Sequence, residues 1–152
     1  MKTVKNISRS LAVFSLLLLC SFNKDASQAT LYQKALTKLN AYNLIKDYKV
    51  YLKKKKTKDP VEYVYFPVTL NDGEKYRFYG LDDPALKGRI VITIYNNMKR
   101  EFQVATTYNA KTKVKTDAIE FLCHTTGTFC LGFSFLDGEE GCGVGISAFK
   151  KE

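Results

Sequence analysis

Histidine is almost missing from this chain of 152 residues, in which His124 is the only one. Serine and cysteine nucleophiles need a base within hydrogen-bond reach, and His124 follows Cys123 on an extended pattern, where neighbouring side chains point to opposite faces. The sequence does not place two acids in one cleft either. We therefore predict a protein that is not an enzyme, with no catalytic residue and no cofactor.

Cysteine is scarce as well. Beyond residue 29 the chain has three cysteines, separated by six and eleven residues: Cys123, Cys130 and Cys142. A zinc site uses pairs of the C-x-x-C kind, so no metal site is predicted from these three. The acids Asp137, Glu139 and Glu140 lack the regular ligand spacing of a calcium loop, which leaves calcium binding open beside an ordinary turn.

A long apolar run is also missing. The longest covers the twelve residues from Leu11 to Phe22, whereas a membrane-spanning helix needs about 20 apolar residues. Basic residues precede this run, and the small residues Ser27 and Ala29 follow it at the spacing that signal peptidase requires. Residues 1–29 are therefore predicted to be a secretory signal peptide, which makes the protein periplasmic, surface-bound or secreted.

Cys20 offers a competing cleavage point, because lipoproteins are cut just before a cysteine that then carries the lipid. Leu19 stands where lipoprotein signals have a small residue, so lipid attachment at Cys20 is the less favoured alternative. A mature chain that begins at Thr30 without lipid is the prediction.

The predicted mature chain is one domain, since 123 residues remain and neither an internal repeat nor a flexible linker divides them. It carries 20 Lys and Arg against 14 Asp and Glu, so its net charge is 20 − 14 = +6. The excess is concentrated in residues 46–58, the basic segment, where only Asp47 opposes seven lysines: Lys46, Lys49, Lys53, Lys54, Lys55, Lys56 and Lys58.

The basic segment has two interpretations. Tyrosines at positions 48, 51, 63 and 65 lie in or near it, and ribbons of basic and aromatic residues bind anionic polymers. The candidate anion-binding residues are Lys49, Lys53, Lys54, Lys55, Lys56 and Lys58. After export the partners would be acidic glycans, lipid headgroups or an envelope protein rather than nucleic acid. In the second interpretation, Lys53 to Lys56 only protect an exposed edge strand.

Hydrophobic periodicity divides the mature chain into a helix and a β-domain. Apolar residues at steps of three and four predict an amphipathic helix over residues 30–47, with Thr30 as its N-cap. From Tyr48 the period becomes two, and residues 48–152 form the predicted β-domain. Its further strands are expected at 61–70, 75–79, 89–95, 100–106, 118–123, 128–135 and 142–149. Strands this short and regular predict an antiparallel, jelly-roll-like β-sandwich of about seven or eight strands.

Alternation in the strand 128–135 assigns its two faces. The phenylalanines and Leu131 share a face that must be buried, while Cys130 shares the opposite one with Gly132 and Ser134. The same alternation turns Cys123 and Cys142 inward on the flanking strands. In an oxidising compartment this favours a Cys123–Cys142 disulfide with Cys130 left over, against the alternative that all three remain thiols.

Four segments carry a resemblance to a known family: Val68–Phe78, Ile90–Tyr95, Ile119–Phe129 and Gly132–Phe135. With their strand spacing, a turn before an aromatic strand, and a Thr-Gly-Thr-Phe motif, residues 61–149 resemble exported bacterial β-sandwich domains of the pre-peptidase C-terminal type. They are similar, more loosely, to GOLD-like sandwiches. The resemblance implies an accessory or binding module without catalytic activity.

The predicted function is therefore an exported, non-catalytic binding or structural module of the cell envelope or the extracellular space. An alternative is a binder of anionic polymers or lipid headgroups that uses the basic segment. A further alternative is a small inhibitor or accessory subunit of an exported enzyme.

Overall fold

The computed structural model describes residues 27–150. In these residues the chain forms ten antiparallel strands. A helix, α1, occupies residues 27–36, and one 3₁₀ turn spans Leu136–Gly138. The strands are β1 (Asn43–Leu52), β2 (Val64–Leu70), β3 (Lys75–Asp82), β4 (Ile90–Tyr95), β5 (Gln103–Thr106), β6 (Tyr108–Asn109), β7 (Val114–Lys115), β8 (Ala118–Leu122), β9 (Gly127–Phe135) and β10 (Gly141–Lys150).

Eight of these strands form two four-stranded sheets. Sheet A has the order β1-β10-β3-β8, sheet B has the order β2-β9-β4-β5, and β6 pairs with β7 in a separate hairpin. Strands that pass from one sheet to the other in this order make the double-sheet jelly roll. The predicted antiparallel, jelly-roll-like β-sandwich of seven or eight strands with one helix is confirmed.

The core between the sheets depends on large side chains of β9 that face glycines of β10. Phe133 and Phe135 of β9 are each 1% exposed and point at β10, which carries glycine at the facing positions. A Cβ atom on Gly145 would collide with the Phe133 ring, and one on Gly141 would collide with the Phe135 ring. The glycines thus leave the space that the two rings fill.

A second, smaller core lies on the other face of sheet A. Leu31 and Ala35 of α1 pack there against apolar side chains of β10 and β3, and the Tyr79 hydroxyl donates to the Ala35 carbonyl at 2.8 Å. Val144 and Ile146 are among these β10 residues. The strand is therefore buried on both sides, with glycines toward sheet B and apolar side chains toward α1.

The helix differs from its predicted bounds at both ends. It already includes residue 27, so Thr30 lies inside it and is not its N-cap, and it ends at residue 36 rather than 47. Asn40 has a left-handed backbone with φ of 51°, and β1 begins at Asn43 instead of Tyr48. Pairing of β1 with β10 from Asn43 to Leu52 outweighs the helical spacing of residues 42–47.

The predicted signal peptide falls mostly on residues 1–26, which lie outside the described residues, and export remains a prediction. Within residues 27–150, no helix is long and apolar enough to cross a membrane. Residues 27–29 belong to α1: Gln28 is buried, and the Ser27 hydroxyl donates to the Asp83 carboxylate. Cleavage after Ala29 would remove these contacts.

We expect Gly145→Ala to lower the free energy of unfolding by about 1–3 kcal/mol, because its methyl group would enter the space of the buried Phe133 ring. Gly127→Ala is the matched control, since no atom lies within 4 Å of its added Cβ. Urea unfolding measures both variants. Equal stability of the two would contradict the proposed packing of β9 on β10.

We also expect a chain that starts at Ser27 to be more stable than one that starts at Thr30 by about 1 kcal/mol at neutral pH. The Ser27 hydroxyl and the Ala85 amide hold the pKa of Asp83 below its ordinary value. The Ala85 amide is present in both chains, so the difference comes from Ser27. Its contribution is present above the unfolded pKa of about 4 and is lost as the pH falls below it. Thermal unfolding at pH 7 and at about pH 3 tests this. An equal difference at both pH values would show that the carboxylate contributes nothing.

Candidate functional site

The outer face of sheet B has small residues along its central strand. Cys130, Gly132 and Ser134 alternate with the core residues of β9 and therefore point away from the sandwich interior. Gly132 pairs with Tyr65 of β2 on one side and with Thr93 of β4 on the other. The outer surface of sheet B is therefore recessed along β9, between the larger side chains of β2 and β4.

Tyrosine rings from the neighbouring strands lie over this depression. Tyr63 and Tyr65 are stacked, with ring centroids 5.7 Å apart and planes inclined by 9°, and Tyr95 meets Tyr65 edge-on at 6.2 Å. The Arg100 guanidinium lies 4.3 Å from the centroid of Tyr65, a cation–π contact. A Cβ on Gly132 would lie 3.0 Å from the Tyr65 ring and 3.4 Å from that of Tyr95, so glycine lets both rings lie close to the sheet.

Burial keeps the Tyr95 phenol and the Cys130 thiol neutral. Burial raises the pKa of Tyr95, nearby Tyr65 and Tyr63 raise it further, and Arg100 lowers it. Burial likewise raises the pKa of the Cys130 thiol, against an opposing effect of Arg100. Tyr95 is therefore a phenol able to donate a hydrogen bond, and Cys130 is an unreactive thiol.

The tyrosine groove, as we name the depression beside Tyr63, consists of two adjoining hollows of about 560 and 410 Å³. Tyr63, Val91, Tyr108 and Ala110 line both of them, so the hollows are direct neighbours. The first also contains Thr93, Gln103 and Lys111, and the second contains Lys55, Ser134 and Asp137. Apolar and aromatic walls with a few polar groups are typical of ligand sites.

One wall of the tyrosine groove is the β6–β7 hairpin, which carries Tyr108. Thr107 fixes this hairpin to β4: its amide donates to the Ile92 carbonyl at 2.9 Å, and its hydroxyl accepts from the Ile92 amide at 2.9 Å. The Thr116 amide in turn donates to the Thr107 carbonyl at 2.8 Å. The wall is therefore held by backbone bonds to the sheet.

The basic segment reaches the tyrosine groove from its other side. β1 ends at Leu52, so Lys53 to Lys58 lie in the connection to β2 and not within an edge strand, while Lys49 is exposed on β1. The Lys55 amide donates to the Gly138 carbonyl at 2.9 Å, and its aliphatic chain packs against Gly138. Lys54 forms a 2.9 Å ion pair with Glu139.

The four tyrosines in or near the basic segment lie in different surroundings. Tyr48 is 2% exposed and belongs to the sandwich core, and Tyr51 donates to Glu140 at 2.7 Å. Tyr63 lines the same hollow as Lys55, and Tyr65 stacks beside it. Of these four tyrosines only Tyr63 therefore lines the groove together with Lys55, and Tyr65 supports it by stacking on the outer side of sheet B.

The acids of the turn after β9 have separate partners. Glu139 pairs with Lys54, Glu140 accepts from Tyr51, and Asp137 is exposed at the groove. Between residues 27 and 150, no group of three or more His, Cys, Asp and Glu side chains is placed to hold a metal ion. Glu139 and Glu140 thus act as partners of the basic segment.

The predicted Cys123–Cys142 disulfide is wrong. All three described cysteines are buried, and no two of them are bridged. Cys123 follows Leu122, which pairs with Lys75, while Cys142 precedes Gly143, which pairs with Asp82 at the opposite end of β3. At about 3.3 Å per residue, their Cα atoms are roughly 20 Å apart, far beyond the 4.4–6.8 Å of a disulfide.

The two cysteines also face different cores. Cys123 lies in the core between the sheets, whereas Cys142 lies on the same face of β10 as Val144 and Ile146, which pack under α1. Cys130 does face the outer side of sheet B, as the alternation predicts, but it is buried there and not exposed. His124 is exposed while Cys123 is buried, so they form no thiol–base pair.

Comparison with known proteins finds no family model that matches the chain and no curated protein with significant similarity. The resemblance to the pre-peptidase C-terminal type remains a prediction.

We expect Gly132→Val to displace the Tyr65 ring from the sheet and to weaken its contacts with Tyr95 and Arg100, since even a single Cβ would lie 3.0 Å from that ring. Valine itself suits a central strand, so the fold should persist. The ring-proton NMR shifts of Tyr65 and Tyr95 measure the displacement. Gly127→Ala is the control in the same strand, and unchanged Tyr65 shifts in Gly132→Val would contradict the arrangement.

Proposed function

We propose that this chain is an exported, non-catalytic binding module that holds a glycan in the tyrosine groove. The observation that carries the proposal is the partly exposed ring of Tyr63, which stacks on Tyr65 and lines the same hollow as the polar side chains of Gln103 and Thr93. A sugar ring has an apolar C–H face and a rim of hydroxyl groups. It therefore fits a site where aromatic faces adjoin hydrogen-bonding groups.

The fold supports the proposal in two ways. Helix α1 covers the outer face of sheet A, while sheet B keeps the groove on its own outer face. Jelly rolls also form lectin domains, although that analogy concerns the fold and the groove residues must supply the function. The resemblance to exported accessory domains agrees with a binding role.

The groove's composition supports binding rather than hydrolysis. Among the described residues that line its two hollows, Asp137 is the one carboxylate, and neither histidine nor cysteine is among them. Glycosidases use two carboxyl groups on either side of the bond that breaks. The groove residues thus suit holding a glycan without cleaving it.

We expect Tyr63→Ala to weaken glycan binding by about tenfold or more, which corresponds to roughly 1.4 kcal/mol of lost stacking. Electrophoresis in gels that contain xylan, laminarin, heparin or polygalacturonate measures the retardation of the folded protein. Phe102→Ala is the matched control, because Phe102 is 68% exposed and lies outside the groove lining. Retardation by none of these polysaccharides, or equal retardation of Tyr63→Ala and the parent chain, would refute the proposed function.

A further inference from the structure

We infer that the ligand is an acidic polysaccharide, whose chain runs through the tyrosine groove and over Lys55 onto the basic segment. This inference rests on the proposed function and adds the chemical class of the glycan and the path that it follows.

Three hollows adjoin one another in series and form a track along the surface. The two hollows of the tyrosine groove share Tyr63 and Tyr108, and the second of them meets a third hollow of about 360 Å³ at Lys55 and Val61. This third hollow is formed by residues 53–56 and 59–62 of the connection between β1 and β2. An elongated track of this kind fits an extended polymer better than a compact headgroup.

The charge along the track is positive. Its lining includes five lysines, namely Lys53, Lys54, Lys55, Lys56 and Lys111, against three acids, Asp59, Glu62 and Asp137. Lys111 lies in the first hollow and Lys55 joins the second to the third. Cations spaced along the track complement a polymer that carries a carboxylate or sulfate at regular intervals.

The lysines are held at the mouth of the groove by the turn after β9. The backbone bond from Lys55 to Gly138 and the ion pair from Lys54 to Glu139 fix the path of the segment. Lys53 and Lys56 remain exposed, with no acidic partner among residues 27–150. Their charges are thus available to a ligand, while the neighbouring lysine chains anchor the loop.

A lipid surface fits this region less well. Peripheral proteins that dock on membranes combine basic residues with apolar side chains that enter the interface. The large apolar side chains that are exposed in the described structure are Ile45, Met98, Phe102, Val104, Val114 and Leu122. None of them belongs to residues 53–62, so the basic segment offers charge without an apolar group to insert.

The test compares polygalacturonate with the same polymer after full methyl esterification, which keeps the sugar backbone and removes its charge. We expect the esterified polymer to bind about tenfold more weakly at low salt, and affinity for the acidic polymer to fall steeply as salt rises. The triple variant Lys53→Gln, Lys55→Gln, Lys56→Gln should weaken binding to polygalacturonate or heparin about tenfold and reduce the salt dependence. Lys54 is left in place so that its ion pair with Glu139 persists.

The control variant carries Lys34→Gln, Lys99→Gln and Lys150→Gln, which remove the same charge from exposed positions on α1, in the turn after β4 and at the end of β10. Thermal unfolding checks both triple variants, because exposed lysines contribute little to stability. Affinity that falls only in the first triple variant supports the inference. Equal losses of affinity in both variants would show that binding follows net charge alone, and this would overturn the inference.

The remaining outcomes separate the two proposals. Binding to neutral xylan or laminarin that depends on Tyr63, without binding to acidic polymers, overturns the acidic ligand and leaves the glycan-binding function standing. Binding to phosphatidylglycerol vesicles but to no polysaccharide identifies a lipid surface and refutes both. If no polysaccharide and no vesicle binds, both proposals fall.

Discussion

The packing of two phenylalanine rings against glycines is the constraint on which the rest of this structure depends. Phe133 and Phe135 of β9 occupy the space that Gly145 and Gly141 of β10 leave empty, at the centre of the sandwich. Where β10 has glycine on its inner side, it contributes apolar side chains on its outer side. β10 accordingly places Val144 and its neighbours outward, and α1 is needed to cover them.

The same strand that fills the core also shapes the tyrosine groove. Residues of β9 alternate between large side chains toward the interior and small ones toward the outside. The small outward residues leave a depression, and Tyr65 and Tyr95 lean over it because Gly132 has no Cβ to hold them away. The recessed outer face thus follows from the alternation that the core already requires, with the β6–β7 hairpin and its Tyr108 as an added wall.

The sequence predicted the jelly-roll-like sandwich, its eight strands and the two faces of residues 128–135, because an alternation of period two reports burial directly. It misplaced Cys142, since alternation cannot distinguish the core between the sheets from the core beneath α1. It missed the β6–β7 hairpin, whose strands of two residues are too short to show a period. The sequence indicates Lys55 as a candidate anion-binding residue and Tyr63 as an aromatic residue near it. That the two line one groove depends on tertiary structure.

The turn after β9 links the core to the charged surface. It must reverse the chain between the two central strands, and it does so with positive φ at Asp137 and Gly138. The absence of a side chain at Gly138 lets the Lys55 chain lie against the turn, while Glu139 and Glu140 bind Lys54 and Tyr51. The basic segment is therefore fixed to the connection between the two central strands. The core packing that places this turn therefore also determines where the lysines of the basic segment meet the groove.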